Sequence, residues 1–358
     1  MNMIEELNKL ILEAIKDEAF PGANYAIVFP NKVYLGSLGN KSLYPNVEPN
    51  DVDTIYDMAS LSKVVSTTSC IMKLIEMGKL NLNCTVKKII PEFKHENITI
   101  WNLLTHTSGL PEGLAGLLKY RTKDEVLKAI YQTELKFITN EEIRYSDLGF
   151  VLLGVVVEKI SKMPLNEFAK KYVFEPLKME NTTYNPKDII RCAPTEERHD
   201  IIKDGIVRGN VHDETSYLLE GVAGHAGLFS TVKDCANFIQ MILNDGVFEG
   251  KEIFSKVIIN RLFNPEVKQQ SVLKVNTLQR GLGWIVGGES ASQGDLTSQK
   301  TIHHTGFTGT NIWIDKENQI GFCLLTNRVH PSRNNLKHMI VRARLANYIM
   351  SNYHKLEK

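Results

Sequence analysis

The sequence predicts an α+β fold: one antiparallel sheet built from both ends of the chain, flanked by terminal helices, with a mostly helical domain inserted. Three observations lead there. The chain opens with an amphipathic helix and a hairpin; short strand-like runs with turn signals gather near its end, before a last helix; and the stretch between is mostly of helical period. The expected division is residues 1–80 with 275–358 as the sheet domain and 81–274 as the helical domain. A cleft between the two is where a site is expected.

In MNMIEELNKLILEAIKDEAF, Ile4, Leu7, Ile11, Ala14 and Ile15 share one helical face, and Glu6, Lys9, Glu13 and Lys16 take the other. Pro21-Gly22 breaks that pattern. ANYAIVFP and NKVYLGSLG then read as two strands turning at Pro30-Asn31-Lys32. From Leu61 the residues Leu61, Val64, Val65, Thr68, Ile71, Met72 and Ile75 keep helical spacing as far as Gly78, a natural C-terminal stop. Helical pieces are expected over residues 99–105, 124–133, 148–160, 165–173 and 232–243. Strands are expected over 282–286, 301–304, 311–314 and 320–325, the last two joined by Asp315-Lys316-Glu317-Asn318, and a final helix over 335–350.

A chain of 358 residues has room for two domains, or for one with a major insertion. Hydrophobic residues at 43%, charged residues at 23% and only 12 prolines place it among ordinary globular proteins. The 42 Lys and Arg nearly cancel the 41 Asp and Glu, so no field draws in nucleic acid or a membrane surface, and a small-molecule or peptide partner fits better. The first helix has no basic n-region or cleavage site, and no apolar run is long enough to span a bilayer; a cytoplasmic protein is expected. Cys70, Cys84, Cys192, Cys235 and Cys323 are scattered, odd in number and without a C-x-x-C pair, which suits reduced, buried thiols rather than a disulfide scaffold.

The pattern S-x-x-K occurs at Ser60–Lys63, Ser230–Lys233 and Ser271–Lys274. At Ser230 the run S-T-V-K-D reads as a helix cap with Asp234 in the first turn, and Ser271 lies in a polar stretch with no helix to position its lysine. Ser60 differs. It opens a helix whose only charged residue between Asp57 and Lys73 is Lys63. Positions i and i+3 share a face, so the ammonium reaches the hydroxyl. Burial without a matched carboxylate depresses a lysine pKa, and a neutral lysine can take the serine proton. The helix N-terminus supplies N–H groups for an oxyanion. A capping serine beside a snorkelling lysine accounts for the same residues without chemistry.

Downstream, Tyr145-Ser146-Asp147 and His304-Thr305-Gly306 follow in order, with LLTHTSGL, GVAGHAGLFST, Leu282-Gly283-Trp284 and HTGFTG around them. With Ser60-Leu61-Ser62-Lys63, these blocks resemble the serine β-lactamase and penicillin-binding-protein superfamily, closest to its class C and esterase-like branch, along nearly the whole chain. The resemblance implies a β-lactamase/transpeptidase-like fold and a serine hydrolase working through an acyl-enzyme on an amide or ester. It implies that Ser60 attacks, that Lys63 and Tyr145 relay protons, and that the N–H groups of Ser60 and Phe307 form the oxyanion hole. A phenol acts as a base only beside positive charge, for which Lys63 and His304 are the available sources.

Two positions depart from the family pattern. Asp147 stands where the family has asparagine, and can pair with Lys63 or repel a substrate carboxylate. His304 stands where lysine is usual and is a weaker carboxylate anchor. Both favour a peptide, amide or ester over penicillin hydrolysis. VHDETSYLLEGVAGHAGLFST and TGFTGTNIWIDKENQIGFCLLTNRVHPSRNN further resemble a muropeptide-amidase and D,D-carboxypeptidase-like subgroup, which implies a cell-wall fragment as substrate. The substrate-binding candidates are then Asp147, His304, Thr305, Gly306, His212, Asp213 and Arg328. A turn or loop role explains His212, Asp213 and Arg328 equally well. The alternatives are a β-lactamase, or a non-catalytic penicillin-binding sensor of the same fold.

No metal or other cofactor is expected. His303 and His304 are neighbours on a strand and point to opposite faces, and no H-E-x-x-H spacing occurs. The glycines of GVAGHAG lack the strand and spacing of a nucleotide loop and read as turn and close-packing residues.

Overall fold

The structure, a computed structural model, describes residues 2–201, 203–270, 277–287 and 291–356. Ser271, Lys274 and the expected boundary at 274/275 lie outside the described residues.

Nine strands form one sheet: β1 (Gly22–Phe29), β2 (Lys32–Ser42), β3 (Glu48–Pro49), β4 (Val267–Gln270), β5 (Thr277–Arg280), β6 (Ile285–Val286), β7 (Thr301–Thr305), β8 (Asn311–Asp315) and β9 (Ile320–Thr326). Their spatial order is β4-β5-β6-β7-β8-β9-β1-β2-β3, with every neighbouring pair antiparallel. The two chain ends meet where β1 pairs with β9, from Ala23 opposite Thr326 to Val28 opposite Gly321.

Strand alternation sorts the side chains into two cores. Tyr25, Ile27, Trp313, Phe322 and Leu324 lie against α1 (Met3–Lys16) and the C-terminal helix, while Ala26, Val28, Ile312, Ile314, Cys323 and Leu325 belong to the core on the other side. With helices on both faces, β1 is buried along its whole length. Asn2 starts α1 through a capping box with Glu5, and Met3, Leu7, Ile11 and Ala14 are its buried residues.

The helix expected from Leu61 is three pieces: a 3₁₀ turn at Ala59–Leu61, a π-helical stretch at Lys63–Thr68 and α2 (Ser69–Glu76). Side chains in the wide turn bond outward or back, Thr67 to the Gly224 carbonyl (2.7 Å) and Ser69 to the Val64 carbonyl (3.2 Å), and Ser66 accepts from Tyr184 (2.9 Å). Such turns recur where a helix must fit a site. Against it packs α3 (Asp147–Ser161), buried continuously from Leu148 to Val157.

The strand expected over 282–286 is only Ile285–Val286. Residues 281–284 form a reversal closed by Gly281 N–H to the Trp284 carbonyl (2.9 Å), which brings Arg280 opposite Ile285. Two elements from the 81–274 segment join the sheet layer: β4 as its edge strand, and α4 (Val232–Leu243), which packs on β1 and β9.

Trp313 is fully buried between α1, the C-terminal helix and Phe322. Trp313→Ala should therefore lower the unfolding free energy by about 3–5 kcal/mol. Leu12→Ala, on the exposed side of α1, should stay within about 0.5 kcal/mol of native; denaturant unfolding monitored by circular dichroism checks both.

Candidate active site

Ser60 follows Ala59, whose φ of +45° is unusual for a residue with a side chain and needs outside support. That support is dense. The Asp57 carboxylate accepts from the Ala59 N–H (2.8 Å) and the His212 N–H (2.7 Å), and the carbonyls of Asp57 and Met58 accept from Thr308 (2.8 Å) and Thr310 (3.1 Å). The loop after β7 is thereby fastened to the segment that presents Ser60. Gly306 makes the approach possible: a Cβ there would lie 2.1 Å from Thr310 Oγ1 and 2.6 Å from the Met58 carbonyl. From the C-terminal helix, α5 (His338–Asn352), Arg342 Nη2 donates to the carbonyls of Gly306 (3.2 Å) and Thr310 (3.0 Å). The Gly306 carbonyl shares its peptide group with the Phe307 N–H, the second expected oxyanion donor.

The hydroxyl of Ser60 receives two hydrogen bonds, from Lys63 Nζ (3.0 Å) and from the Tyr145 hydroxyl (2.9 Å). Lys63 is completely buried; its ammonium also donates to the His225 carbonyl (3.0 Å) and forms an ion pair with Asp147 Oδ1 at 2.7 Å. The expectation of a lysine without a matched carboxylate is thus overturned. Burial alone would lower its pKa, but Asp147 and Tyr145 outweigh burial and hold it above the ordinary lysine value. Lys63 is an ammonium at neutral pH, and of the two expected uses of Asp147 the structure takes the pairing. Ser146 caps α3 through the Gly149 N–H (3.3 Å), so the cap and the inward Tyr145 occupy adjacent residues without conflict.

His304, on β7, has its ring 6.3 Å from that of Tyr145. It is not a source of charge there. Burial, then Arg280 and Lys63, push its pKa well below the ordinary histidine value. The second cation beside Tyr145 is instead Arg280, its guanidinium carbon 5.7 Å from the ring centroid; Lys63 Nζ is at 4.9 Å. His106 lies 4.6 Å from Tyr145 ring to ring, accepts from the Ser146 N–H at Nδ1 (3.1 Å) and is likewise kept neutral, by burial first and then Arg280. Arg280, His106 and the His225 carbonyl were not among the expected site groups. Their signal was proximity alone: each lies in or beside a recognised block.

The remaining candidates form an adjoining cluster. Phe307 is half exposed and stacks on His212, centroids 5.7 Å apart, with the Arg328 guanidinium 4.4 Å above it. Arg328 donates to the carbonyls of Phe307 (2.8 Å), Arg333 (2.7 Å) and Asn335 (2.8 Å), and His212 Nε2 bonds Glu196 (3.0 Å). Asp213 caps the short helix Glu214–Leu218 through Ser216 N–H (2.7 Å) and holds His225 Nε2 (2.7 Å). Thr305 ends β7, where its carbonyl bonds His304 Nδ1 (2.9 Å). Among the described residues no group of three or more His, Cys, Asp or Glu is placed to hold a metal ion, and no helix is long and apolar enough to cross a membrane.

A sequence profile of the Beta-lactamase family matches residues 7–346. The chain belongs to the β-lactamase family. This family member is 30% identical over 354 residues to a Salmonella typhi protein named as a D-alanyl-D-alanine carboxypeptidase, with 88% of the chain and 80% of the relative covered. Two solved structures share its fold. One is EstCE1, described as a hydrolase with promiscuous acyltransferase activity (20% identity, TM-score 0.79, 97% and 98% of the two chains covered). The other is an octameric penicillin-binding protein homologue from Pyrococcus abyssi (24% identity, TM-score 0.74, 99% and 78% covered). The protein is a serine hydrolase of the β-lactamase family, with the β-lactamase/transpeptidase-like fold expected from its sequence.

Burial, then the charge of Arg280, push His303 from 6.5 down to about 3, and neither ring nitrogen has a hydrogen-bond partner. Between those pH values the unfolded chain binds more protons than the fold. Stability should therefore fall as pH drops from about 6.5 toward 3, by about 1.4 kcal/mol per unit for this one group. His303→Leu should flatten the dependence by that amount in urea titrations at pH 6, 5 and 4.

Proposed function

We propose that this β-lactamase-family hydrolase forms an acyl-enzyme on Ser60 and cleaves an amide or ester bond of a peptide or cell-wall-derived muropeptide. The observation that carries the reading is the pair of hydrogen bonds converging on one hydroxyl, from Lys63 and from Tyr145. Tyr145, beside the cations Lys63 and Arg280, takes the Ser60 proton onto its oxygen while Oγ bonds to the substrate carbonyl carbon, and its own hydroxyl proton is the one passed on. The carbonyl oxygen takes the developing charge and is held by the N–H groups of Ser60 and Phe307. Tyr145 returns the proton to the leaving amine or alcohol as that bond breaks. Water then attacks the acyl carbon, gives its proton to Tyr145, and Ser60 departs with that proton. Lys63 keeps its charge throughout and orients the nucleophile.

The D-alanyl-D-alanine carboxypeptidase name of the Salmonella typhi relative supports a peptide substrate with a D-amino-acid end. The five free cysteines, four of them buried, support a reducing, cytoplasmic compartment and hence recycled wall fragments rather than the wall itself. A fluorophosphonate probe should label the native protein at Ser60 and leave Ser60→Ala unlabelled. Turnover of a D-alanyl-D-alanine peptide, a muramyl peptide and a chromogenic ester should fall roughly 10³-fold or more in Ser60→Ala. Equal labelling of native and Ser60→Ala would overturn the assignment.

Asp147→Asn removes the larger of the two groups that hold Lys63 charged and leaves only Tyr145 against burial, so Lys63 should lose its proton at lower pH than in the native protein. The alkaline limb of kcat/KM should move to lower pH by about one unit or more. An unmoved limb would remove the ammonium from the mechanism.

A further inference from the structure

Two buried arginines stand behind the loop that follows β7, and among the described residues neither has a carboxylate partner. Arg342 Nη2 donates to the Gly306 and Thr310 carbonyls, yet both are already taken: the Thr310 carbonyl accepts from the Gly306 N–H (2.8 Å) and the Gly306 carbonyl from the Gly309 N–H (3.1 Å). The turn therefore closes without Arg342, whose Nε is buried with no acceptor. Arg328 gives Nε to the Phe307 carbonyl (2.8 Å), and its guanidinium carbon lies 4.4 Å from the Phe307 ring centroid. Burial, then the charge of Arg328, brings Arg342 down to about 10, so it stays a cation at neutral pH; His338 is pushed down to about 3, by burial and then by both guanidinium groups, and adds no charge. A buried cation without a counter-ion is strongly unfavourable. One that the loop does not need for its own hydrogen bonds calls for another reason.

We propose that Arg342 and Arg328 are positioning residues of the oxyanion site: their uncompensated charges, delivered through the carbonyls on either side of Phe307, strengthen its N–H as a donor to the anion that forms when Ser60 is acylated. The inference rests on the acyl-enzyme reading of Ser60. The Gly306 carbonyl belongs to the same peptide unit as the Phe307 N–H, and the Phe307 carbonyl to the next, so each guanidinium acts on a peptide dipole and neither has to touch the substrate. Positive charge held in a water-poor interior favours the transition state, where the carbonyl oxygen is anionic, far more than the neutral ground state. Arg328, expected as a substrate-binding residue, has Nε and Nη1 given to three carbonyls, which supports an indirect role for it.

The test uses the full chain with a neutral chromogenic ester and with phenylboronic acid, neither of which carries a carboxylate. The boronic acid becomes tetrahedral on the Ser60 oxygen and places an oxygen where the oxyanion forms. Rates are expressed per fluorophosphonate-labelled site, so a folding defect lowers the number of sites and leaves the rate of each readable. In Arg342→Met and in Arg328→Met, kcat should fall about tenfold or more with KM within about twofold, and the affinity for phenylboronic acid should fall by a similar factor. Arg342→Lys, which keeps the charge, should retain more of kcat than Arg342→Met. Arg344→Met, on the exposed side of the same helix, should match the native protein. An unchanged kcat in either Arg342→Met or Arg328→Met, an equal loss in Arg342→Lys and Arg342→Met, or a loss confined to KM overturns the proposal; where one of the two Met variants yields no labelled sites, the other carries the comparison. Ester hydrolysis that survives in Ser60→Ala overturns the acyl-enzyme reading, whereas hydrolysis that depends on Ser60 but on neither arginine overturns this inference alone.

Discussion

The buried ammonium of Lys63 constrains the rest of the site. A charge with no exposed surface costs several kcal/mol unless its protons and its charge are both matched. The chain meets this with three acceptors from three places: the Ser60 hydroxyl one turn back, the His225 carbonyl in the glycine-rich loop, and the Asp147 carboxylate. None can move alone. Asp147 sits in the first turn of α3, where the helix field favours a negative charge, so the residue that neutralises Lys63 also suits its own helix. His225 follows Gly224, where a Cβ would lie 2.0 Å from the Phe150 carbonyl of α3; only a glycine lets that loop approach closely enough to present its carbonyl.

The opposite wall is held from the sheet side. Thr308 and Thr310 fasten the loop after β7 to the segment before Ser60, and Arg342 reaches from the C-terminal helix to the Gly306 carbonyl. Because that carbonyl and the Phe307 N–H belong to one peptide unit, a cationic donor on the oxygen polarises the N–H and strengthens it as a donor. The last helix of the chain therefore does more than cover β1 and β8. It ties its own packing to the geometry expected of the oxyanion site.

Where local periodicity determines structure, the sequence was legible. Alternation along β1, β8 and β9 and the apolar face of α1 emerge as the two cores, and the i, i+3 spacing places Lys63 on the Ser60 hydroxyl as it should. What escaped reading depends on long-range closure. Arg280 in Q-R-G-L-G-W looks like an ordinary surface arginine; it is buried because the four-residue reversal that follows folds β5 back beside β6 and under Tyr145. The charge state of Lys63 was misjudged for the same reason. Helical spacing says what its own helix lacks; Asp147 was named as a possible partner, but whether a residue more than eighty positions away reaches Lys63 is decided only by long-range closure. The π-helical stretch was invisible as well: its Thr67 bonds the Gly224 carbonyl, a partner no local pattern announces.

Histidine at position 304 makes physical sense once Arg280 is in place. A lysine there would add a third cation beside Lys63 and Arg280, whereas an imidazole can remain neutral, and burial with those two cations keeps it so. Its tautomer follows from its partner. The Thr305 carbonyl can only accept, so Nδ1 carries the proton and Nε2 is left as an unpartnered, buried acceptor. His106 is the reverse: Nδ1 accepts from the Ser146 N–H, so its proton sits on Nε2. Two neutral imidazoles of opposite tautomer thus flank the phenol, each with its Nε2 buried and without a hydrogen-bond partner. The charge beside the phenol thus lies on Lys63 and Arg280, and the imidazoles add none.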